Sequence, residues 1–213
     1  MADQAADPWN AAVYEAAEVG RWVGLRPSRV RRWLRTGNSG QRSTRASFLD
    51  LIDLLFVTPF LARGLRLRQL RAALDEAGHL LGVGHYASRD FFSDGHGVFL
   101  RTHTYGDAIL RLLSDGQWIA GDDVLDIAGS IEFDEGSGLA ERWYPSGMDG
   151  LIVIDPLVAA GRPAIDSRTV STADVHAAFV NEGRSVAGAS ARLGLDTEEV
   201  EAAVLFEEHT RSR

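Results

Sequence analysis

The stretch GLRPSRVRRWLR, residues 24–35, decides how the amino-terminal third of this chain folds. Val30, Trp33 and Leu34 fall at positions i, i+3 and i+4, which predicts a helix with one buried apolar stripe. At about 100° per residue, the arginines of the stretch lie opposite that stripe or on its flanks. An apolar underside below outward arginines is the form of a DNA recognition helix. A solvated, arginine-rich helix on an unrelated helical protein is the alternative interpretation.

The residues before this helix predict the first half of a helix-turn-helix. Residues 12–22 carry apolar positions that share one face of a short helix. Gly24 supplies a turn with a positive φ, and Leu25 returns the chain to the core. Pro27 suits the first position of the second helix, because the N–H that it lacks has no helical partner there.

The residues after it predict a wing and two further helices. Residues 35–42, RTGNSGQR, have the glycines and Asn of a tight hairpin, with arginine on both sides. Ser47 and Asp50 resemble a capping box that starts an apolar helix from Phe48 to Ala62. Gly64 ends that helix, and the next amphipathic helix has leucines flanked by arginines: Leu67, Leu70 and Leu74, with Arg63, Arg66, Arg68 and Arg71.

This order of parts resembles the MerR-like DNA-binding domains. The resemblance rests on Ala16-Ala17, Gly24-Leu25 and the run from Pro27 to Leu34. One departure is Arg26, where those proteins commonly have Ser or Thr, so that a helix cap is lost and a charge is added. The resemblance implies that residues 1–76 form a winged helix-turn-helix that binds double-stranded DNA. The residues expected at the DNA are Arg26, Ser28, Arg29, Arg31, Arg32, Arg35, Arg42 and Arg45.

The charge distribution agrees with a basic head on an acidic body. The net charge of the chain is −8, but residues 1–74 hold 12 Arg against 6 acidic residues and carry +6, which leaves −14 on residues 75–213. Such asymmetry is expected when one end of a protein meets DNA. There is no Cys, no apolar run approaches the roughly 18 residues of a membrane span, and the first ten residues do not resemble a secretory signal. We therefore expect a cytoplasmic protein that does not enter a membrane.

The middle of the chain, residues 77–149, predicts short strands and turns. Hairpins are expected at Phe91–Leu100 and between Ile131–Phe133 and Leu139–Trp143. The histidines and carboxylates here suggest a metal or catalytic site as one interpretation and a solvated surface as the other. No paired-ligand spacing or second motif accompanies them, so we expect no metal, no cofactor and no catalytic residue. They are His79, His85, His96 and His103, with Asp122, Asp123, Asp134, Glu135 and Asp149.

The last segment, residues 150–213, contains a second copy of the helix-turn-helix pattern. Two short strands and a helix begun by Ser171 and Asp174 precede it, and it comprises helices at 185–193 and 196–205. A shift of 170 positions aligns Gly24-Leu25 with Gly194-Leu195. The outward residues change sign, because Ser28, Arg29 and Arg31 correspond to Glu198, Glu199 and Glu201, while Arg35 corresponds to Leu205. An acidic face is repelled by phosphates, so we expect it to contact protein, and a helical hairpin that only caps the fold is the alternative.

The same segment resembles the small bacterial family numbered 433 among domains of unknown function. The residues that carry this resemblance are Gly161 to Ile165, Thr169, Gly183 to Val186 and Glu199 to Val204, with departures at Asp166-Ser167 and at Ser171. Members of that family are similar to antitoxins encoded beside toxins with a PIN-like nuclease fold. A MerR-like head on this tail resembles the longer VapB-type antitoxins. The residues expected at a protein partner are Glu198, Glu199, Glu201, Arg211 and Arg213.

Taken with the resemblances, the sequence predicts an α+β protein with an amino-terminal winged helix-turn-helix, a strand-rich middle and a carboxy-terminal helical, helix-turn-helix-like domain. The function expected is that of a DNA-binding antitoxin, a homodimer that represses its own operon and neutralises a PIN-like ribonuclease. The first alternative is a stand-alone MerR-like transcriptional regulator whose middle region senses a ligand. The second is an enzyme, such as a hydrolase that uses the carboxylates and histidines of the middle region.

Overall fold

Seven α-helices and three short pairs of strands make up the part of the chain that the structure describes. The structure is a computed structural model, and it describes residues 7–35, 44–62, 64–81, 86–88 and 127–212. The fold is α+β, as the sequence predicts, and helices dominate among the described residues. Contacts divide the chain into two compact units, residues 1–140 and 141–213.

The amino-terminal unit begins with a strand where the sequence pattern predicts helix. Its elements are β1 (Tyr14–Glu15), α1 (Ala16–Val23), α2 (Pro27–Arg35), β2 (Arg45–Ala46), α3 (Phe48–Ala62) and α4 (Leu67–Leu81). The predicted start of α1 at residue 12 is wrong, because Tyr14 pairs with Ala46 and Glu15 with Arg45 in an antiparallel ladder. Glu15 then starts the helix through a capping box with Glu18.

The turn between α1 and α2 has the predicted geometry. Gly24 has a φ of 73°, in the left-handed region that glycine adopts without strain. The Leu25 N–H donates to the Gly20 carbonyl over 2.8 Å, which closes the turn, and the Leu25 side chain is buried. Pro27 is the first residue of α2, as predicted.

The core of this unit is built around α3, which is buried along nearly its whole length. Its start is the predicted one, since Ser47 Oγ accepts from the Asp50 N–H and Asp50 Oδ2 accepts from the Ser47 N–H. Leu70 and Leu74 of α4 are fully buried, which agrees with their helical spacing. The helix-turn-helix therefore packs on an apolar scaffold that follows it in the chain.

The predicted hairpin after residue 130 is present as β3 (Ile131–Phe133) and β4 (Ala140–Trp143). The Asp134 N–H donates to the Leu139 carbonyl over 2.9 Å and closes its turn. The strand-rich character of the earlier middle region, including the hairpin at residues 91–100, concerns residues outside those that the structure describes.

The carboxy-terminal unit packs three helices on a short antiparallel ladder. Its elements after β4 are β5 (Ile152–Val153), β6 (Ala164–Ile165), α5 (Thr172–Asn181), α6 (Val186–Leu193) and α7 (Thr197–Arg211). Ile152 pairs with Ile165 and Val153 with Ala164. Helix α7 continues past the predicted end at residue 205 and packs along α5.

The two helix-turn-helix copies coincide at the predicted offset of 170 residues. Helix α1 runs from 16 to 23 and α6 from 186 to 193, while α2 begins at 27 and α7 at 197. The turn glycines have matching left-handed geometry, with φ 73° at Gly24 and 66° at Gly194. Val30 and Val200, which occupy equivalent positions, are both fully buried. The two segments therefore share one local fold beneath different surfaces.

Candidate nucleic-acid interface

Helix α2 presents its arginines to solvent from a rigid base. Val30, Trp33 and Leu34 are at most 3% exposed and hold the helix on the core. The side chains on the other faces are all exposed: Ser28, Arg29, Arg31, Arg32 and Arg35. Guanidinium groups in this arrangement can bind phosphates and can grip the O6 and N7 atoms of guanine with two hydrogen bonds.

The first turn of α2 depends on the backbone of the residue that departs from the MerR-like pattern. Arg26 is exposed, and its carbonyl accepts from the Arg29 N–H over 2.8 Å. The carbonyl thus starts the helix, and the exposed side chain adds a positive charge at the beginning of α2, as the sequence predicts.

The structure describes one of the two arginines predicted to contact DNA from the wing. Arg42 lies outside the described residues. Arg45 lies on β2, where its guanidinium contacts Glu15 Oε1 on the paired strand over 2.7 Å. Both side chains of this ion pair are 55% exposed, so water screens it. Arg45 thus links the two strands, and Glu15 partly neutralises the charge that Arg45 could present to DNA.

A polar and aromatic cluster ties the underside of α2 to α4. The Arg71 guanidinium carbon stands 3.9 Å from the ring centroid of Trp33, a cation–π geometry. Tyr86 packs its ring against the same indole with the centroids 6.3 Å apart, and its hydroxyl donates to Asp75. The cluster spans three segments of the chain and fixes α2 relative to α4.

The ionisation of this cluster is set by its burial. Burial lowers the pKa of the Arg71 guanidinium, and the nearby Tyr86 and Asp75 oppose that shift. Burial, with the hydrogen bond to Asp75, raises the pKa of Tyr86 well above its usual range. The Tyr86 hydroxyl therefore keeps its proton and remains a donor at physiological pH.

A cleft of about 830 Å³ opens beside the exposed arginines of α2. Its walls come from α2, the end of α3, the loop that follows and the first half of α4. Five arginines and one acidic residue line it: Arg29, Arg32, Arg66, Arg68 and Arg71, with Asp75. The positive surface of α2 is thus continuous with a recess.

Three further arginines, just before and within the first half of α4, also line this surface. They are absent from the set of residues predicted to contact DNA. Arg66 and Arg68 are exposed at the start of α4, and Arg71 is half-buried. Their sequence signal is the row of arginines beside Leu67, Leu70 and Leu74. That pattern predicts which face of α4 carries the arginines, but it does not predict that this face lies close to α2.

The acidic copy of the helix-turn-helix presents fewer free carboxylates than the alignment implies. Glu198 and Glu201 are exposed on α7. The Glu199 side chain is only 12% exposed, because it pairs with Arg168 over 3.2 Å and accepts from the Asp196 N–H in a capping box. Two of the three predicted carboxylates therefore face solvent, whereas the Glu199 carboxylate is bonded to groups of its own unit.

Besides the glutamates, α7 carries an exposed leucine and one of the two arginines predicted at a protein partner. Leu205, the counterpart of Arg35, is 67% exposed. Arg211 pairs with Glu207 one turn earlier on α7 over 3.5 Å. Arg213 lies outside the described residues. The surface of α7 beyond Glu201 thus includes both an exposed apolar side chain and a paired charge.

The histidines and carboxylates of the middle region form no metal-binding group among the described residues. His79 lies exposed on α4, so the helix extends past the predicted start of the strand-rich region, whereas His85, His96, His103, Asp122 and Asp123 lie outside the described residues. Asp134 accepts from Ser137 and shapes the β3–β4 turn, and Glu135 and Asp149 are exposed.

Across the described parts of the chain, every helix is too short or too polar to cross a lipid bilayer.

No protein-family model and no curated protein sequence matches the chain. Among solved structures, it is similar to the crystal structure of Rv2018 from Mycobacterium tuberculosis. The two are 20% identical in sequence, with a TM-score of 0.73 over 92% of this chain and 98% of that chain. At this level of identity, the likeness shows that the two proteins share a fold.

Proposed function

We propose that this protein binds double-stranded DNA through α2 and acts as a transcriptional regulator. The observation that carries the proposal is the set of exposed arginines, Arg29, Arg31, Arg32 and Arg35, above a fully buried apolar stripe. Phosphate contacts give affinity and position the protein, whereas base contacts give specificity, and arginine serves both. The exposed arginines at the start of α4 line the cleft beside α2 and supply further positive charge for phosphate contacts.

We further propose that the regulator is a cytoplasmic antitoxin that represses its own operon and neutralises a PIN-like ribonuclease. The resemblance of the tail, from Gly161-Arg162-Pro163 onward, supports this proposal, as does the replacement of arginine by glutamate on the second helix-turn-helix. A ribonuclease needs a basic groove for RNA, and an acidic helix complements such a groove by charge. The protein acts as a homodimer, because two-fold operators match two-fold proteins, with the dimer contacts beyond residue 150.

Charge reversal on α7 tests the antitoxin proposal. The Glu198→Arg/Glu201→Arg variant is expected to lose capture of the PIN-like ribonuclease encoded beside it, while it binds operator DNA as well as the wild type or slightly better. The physical reason is that both carboxylates are exposed and steer a basic partner without supporting the fold. Glu199 is left intact because its cap and its pair with Arg168 stabilise α7. Pull-down and gel-shift assays on one preparation measure both properties.

The control reverses one carboxylate, Asp149, which is exposed in the same unit and lies outside α7. Asp149→Arg is expected to retain ribonuclease capture. Unchanged capture by the double variant, with an intact dimer, would show that the acidic face is only solvated. Dissociation of the dimer by the double variant would place α7 in the dimer interface instead, and would also contradict the proposal.

A further inference from the structure

The cleft beside α2 has the size of a small-molecule site. Its volume of about 830 Å³ falls within the range of roughly 300–1,000 Å³ that is usual for ligand pockets. It is formed within one unit by three consecutive helices and the loop between α3 and α4. The contact between Trp33 and Arg71 holds α2 against α4, so the shape of the cleft follows from the packing of the unit.

The lining of the cleft combines an apolar floor with a positive rim. Leu61, Leu65, Leu67 and Ala72 supply apolar surface, and the last three are only partly buried, so that they face the recess. Five arginines stand around them against Asp75, whose carboxylate already accepts from Tyr86. The site therefore offers hydrophobic contact and an excess of positive charge together.

Contact with duplex DNA would use only part of this lining. The phosphates of DNA are hydrated groups on a convex surface, and they would leave the apolar floor of the cleft without an apolar partner. A ligand that carries both an anionic group and an apolar body would satisfy both parts, since guanidinium groups bind carboxylate or phosphate in a bidentate manner. Pockets of this type bury most of such a ligand and use few charged groups to orient it.

We propose that the cleft between α2 and α4 binds a small amphipathic organic anion, a carboxylate or phosphate ester with an aromatic or aliphatic body. Leu65, Leu67 and Ala72 contact the body, and Arg66, Arg68 and Arg71 hold the anionic group. Arg29 and Arg32 belong both to this rim and to the DNA-facing side of α2. If α2 binds DNA as proposed above, the ligand and DNA compete, and ligand binding releases the operator.

The site itself is tested without DNA, with the fluorescent sulfonate 8-anilinonaphthalene-1-sulfonate as the amphipathic probe. The wild type is expected to bind it saturably at one site per chain. Ala72→Trp fills the cleft without a change of charge and is expected to weaken binding at least tenfold. The matched control, Ala17→Trp, adds the same side chain at an exposed position of α1 that does not line the cleft and is expected to bind like the wild type.

Two results would overturn the proposal. One is equal probe binding by the wild type and by folded Ala72→Trp, checked by circular dichroism. The other is displacement of the probe by inorganic phosphate at the same concentration as by a short aromatic carboxylate, because the apolar floor would then contribute nothing. If Ala72→Trp fails to fold, Arg68→Glu replaces it, since Arg68 is exposed and its reversal is expected to weaken the probe at least as much.

A second arm separates this proposal from the DNA proposal. A fluorescein-labelled duplex is titrated into the same proteins, and the probe is expected to displace it from the wild type but not from Ala72→Trp. A protein that binds the probe but no duplex at any salt concentration would leave the cleft assigned and would refute DNA binding. A bound duplex that saturating probe leaves undisturbed would refute the competition between the two ligands.

Discussion

Replacement of Arg29, Arg31, Arg32 and Arg35 with alanine is expected to abolish specific DNA binding while the protein stays folded. Each arginine that reads a base contributes about 1–3 kcal/mol, and the phosphate contacts add a salt-dependent term. The four side chains are exposed, so the variant leaves the stripe of Val30, Trp33 and Leu34 intact. Circular dichroism verifies the fold, and fluorescence anisotropy with a labelled operator measures the binding.

The single variant Arg32→Ala distinguishes base reading from phosphate binding. If Arg32 reads a base, specific binding falls by about 1–3 kcal/mol and non-specific binding is nearly unchanged. If it holds a phosphate, both fall together and the dependence of affinity on salt becomes shallower.

The control for the quadruple variant is Arg162→Ala/Arg184→Ala/Arg192→Ala. It removes three positive charges from the carboxy-terminal unit and is expected to leave operator binding intact. Tight operator binding by the folded quadruple variant would exclude α2 as the recognition helix.

Replacement of Trp33 with alanine is expected to cause the largest loss of stability among single changes on α2. Trp33 is 1% exposed, and Arg71 and Tyr86 both pack against its indole. Removal of a buried aromatic side chain from a packed core costs about 3–5 kcal/mol, and here a half-buried guanidinium also loses its aromatic partner. Urea unfolding followed by circular dichroism measures the change.

The control for this prediction is Trp33→Phe, which keeps a ring beneath Arg71 and is expected to cost less than half as much. The physical difference is the size of the cavity left between α2 and α4. An unfolding midpoint for Trp33→Ala equal to that of the wild type would show that the cluster of Trp33, Arg71 and Tyr86 does not anchor α2.

Local signals in the sequence are enough to predict most of the helices. The start of α3 follows from the Ser47–Asp50 pair, and the turn before α2 follows from Gly24 and Pro27, because caps and turns depend on neighbouring residues. The repeat is predictable for the same reason, since its apolar positions recur at one offset. The start of α1 is not, because residues 14–15 pair with β2, some thirty residues away in the chain.

The candidate site is predictable only in part. The outward arginines of α2 follow from helical periodicity, and all of them are exposed. The cleft depends on how closely α4 approaches α2, and no local pattern reports that Arg71 stacks on Trp33. Glu199 illustrates the opposite failure, because its position on the helix suggests exposure while Arg168, from a distant loop, occupies its carboxylate.

The shared fold of the two helix-turn-helix copies separates scaffold from function. Equivalent buried positions, such as Val30 and Val200, keep the shape, and the exposed positions decide the partner. Arginine at 29 and 31 favours phosphate, whereas glutamate at 201 repels it. We therefore propose that the chain uses the same local fold at its two ends for two different partners.

Binding of the wild-type protein to the DNA upstream of its own coding sequence tests the central proposal most directly. Fluorescence anisotropy compares a labelled duplex from that region with a shuffled duplex of equal length and composition, at several salt concentrations. A specific regulator is expected to bind the native duplex at least about 10³-fold more tightly, and the affinity should fall linearly on a plot of log K against log salt concentration. Equal affinity for the two duplexes at every salt concentration, or no binding to either, would contradict the proposal.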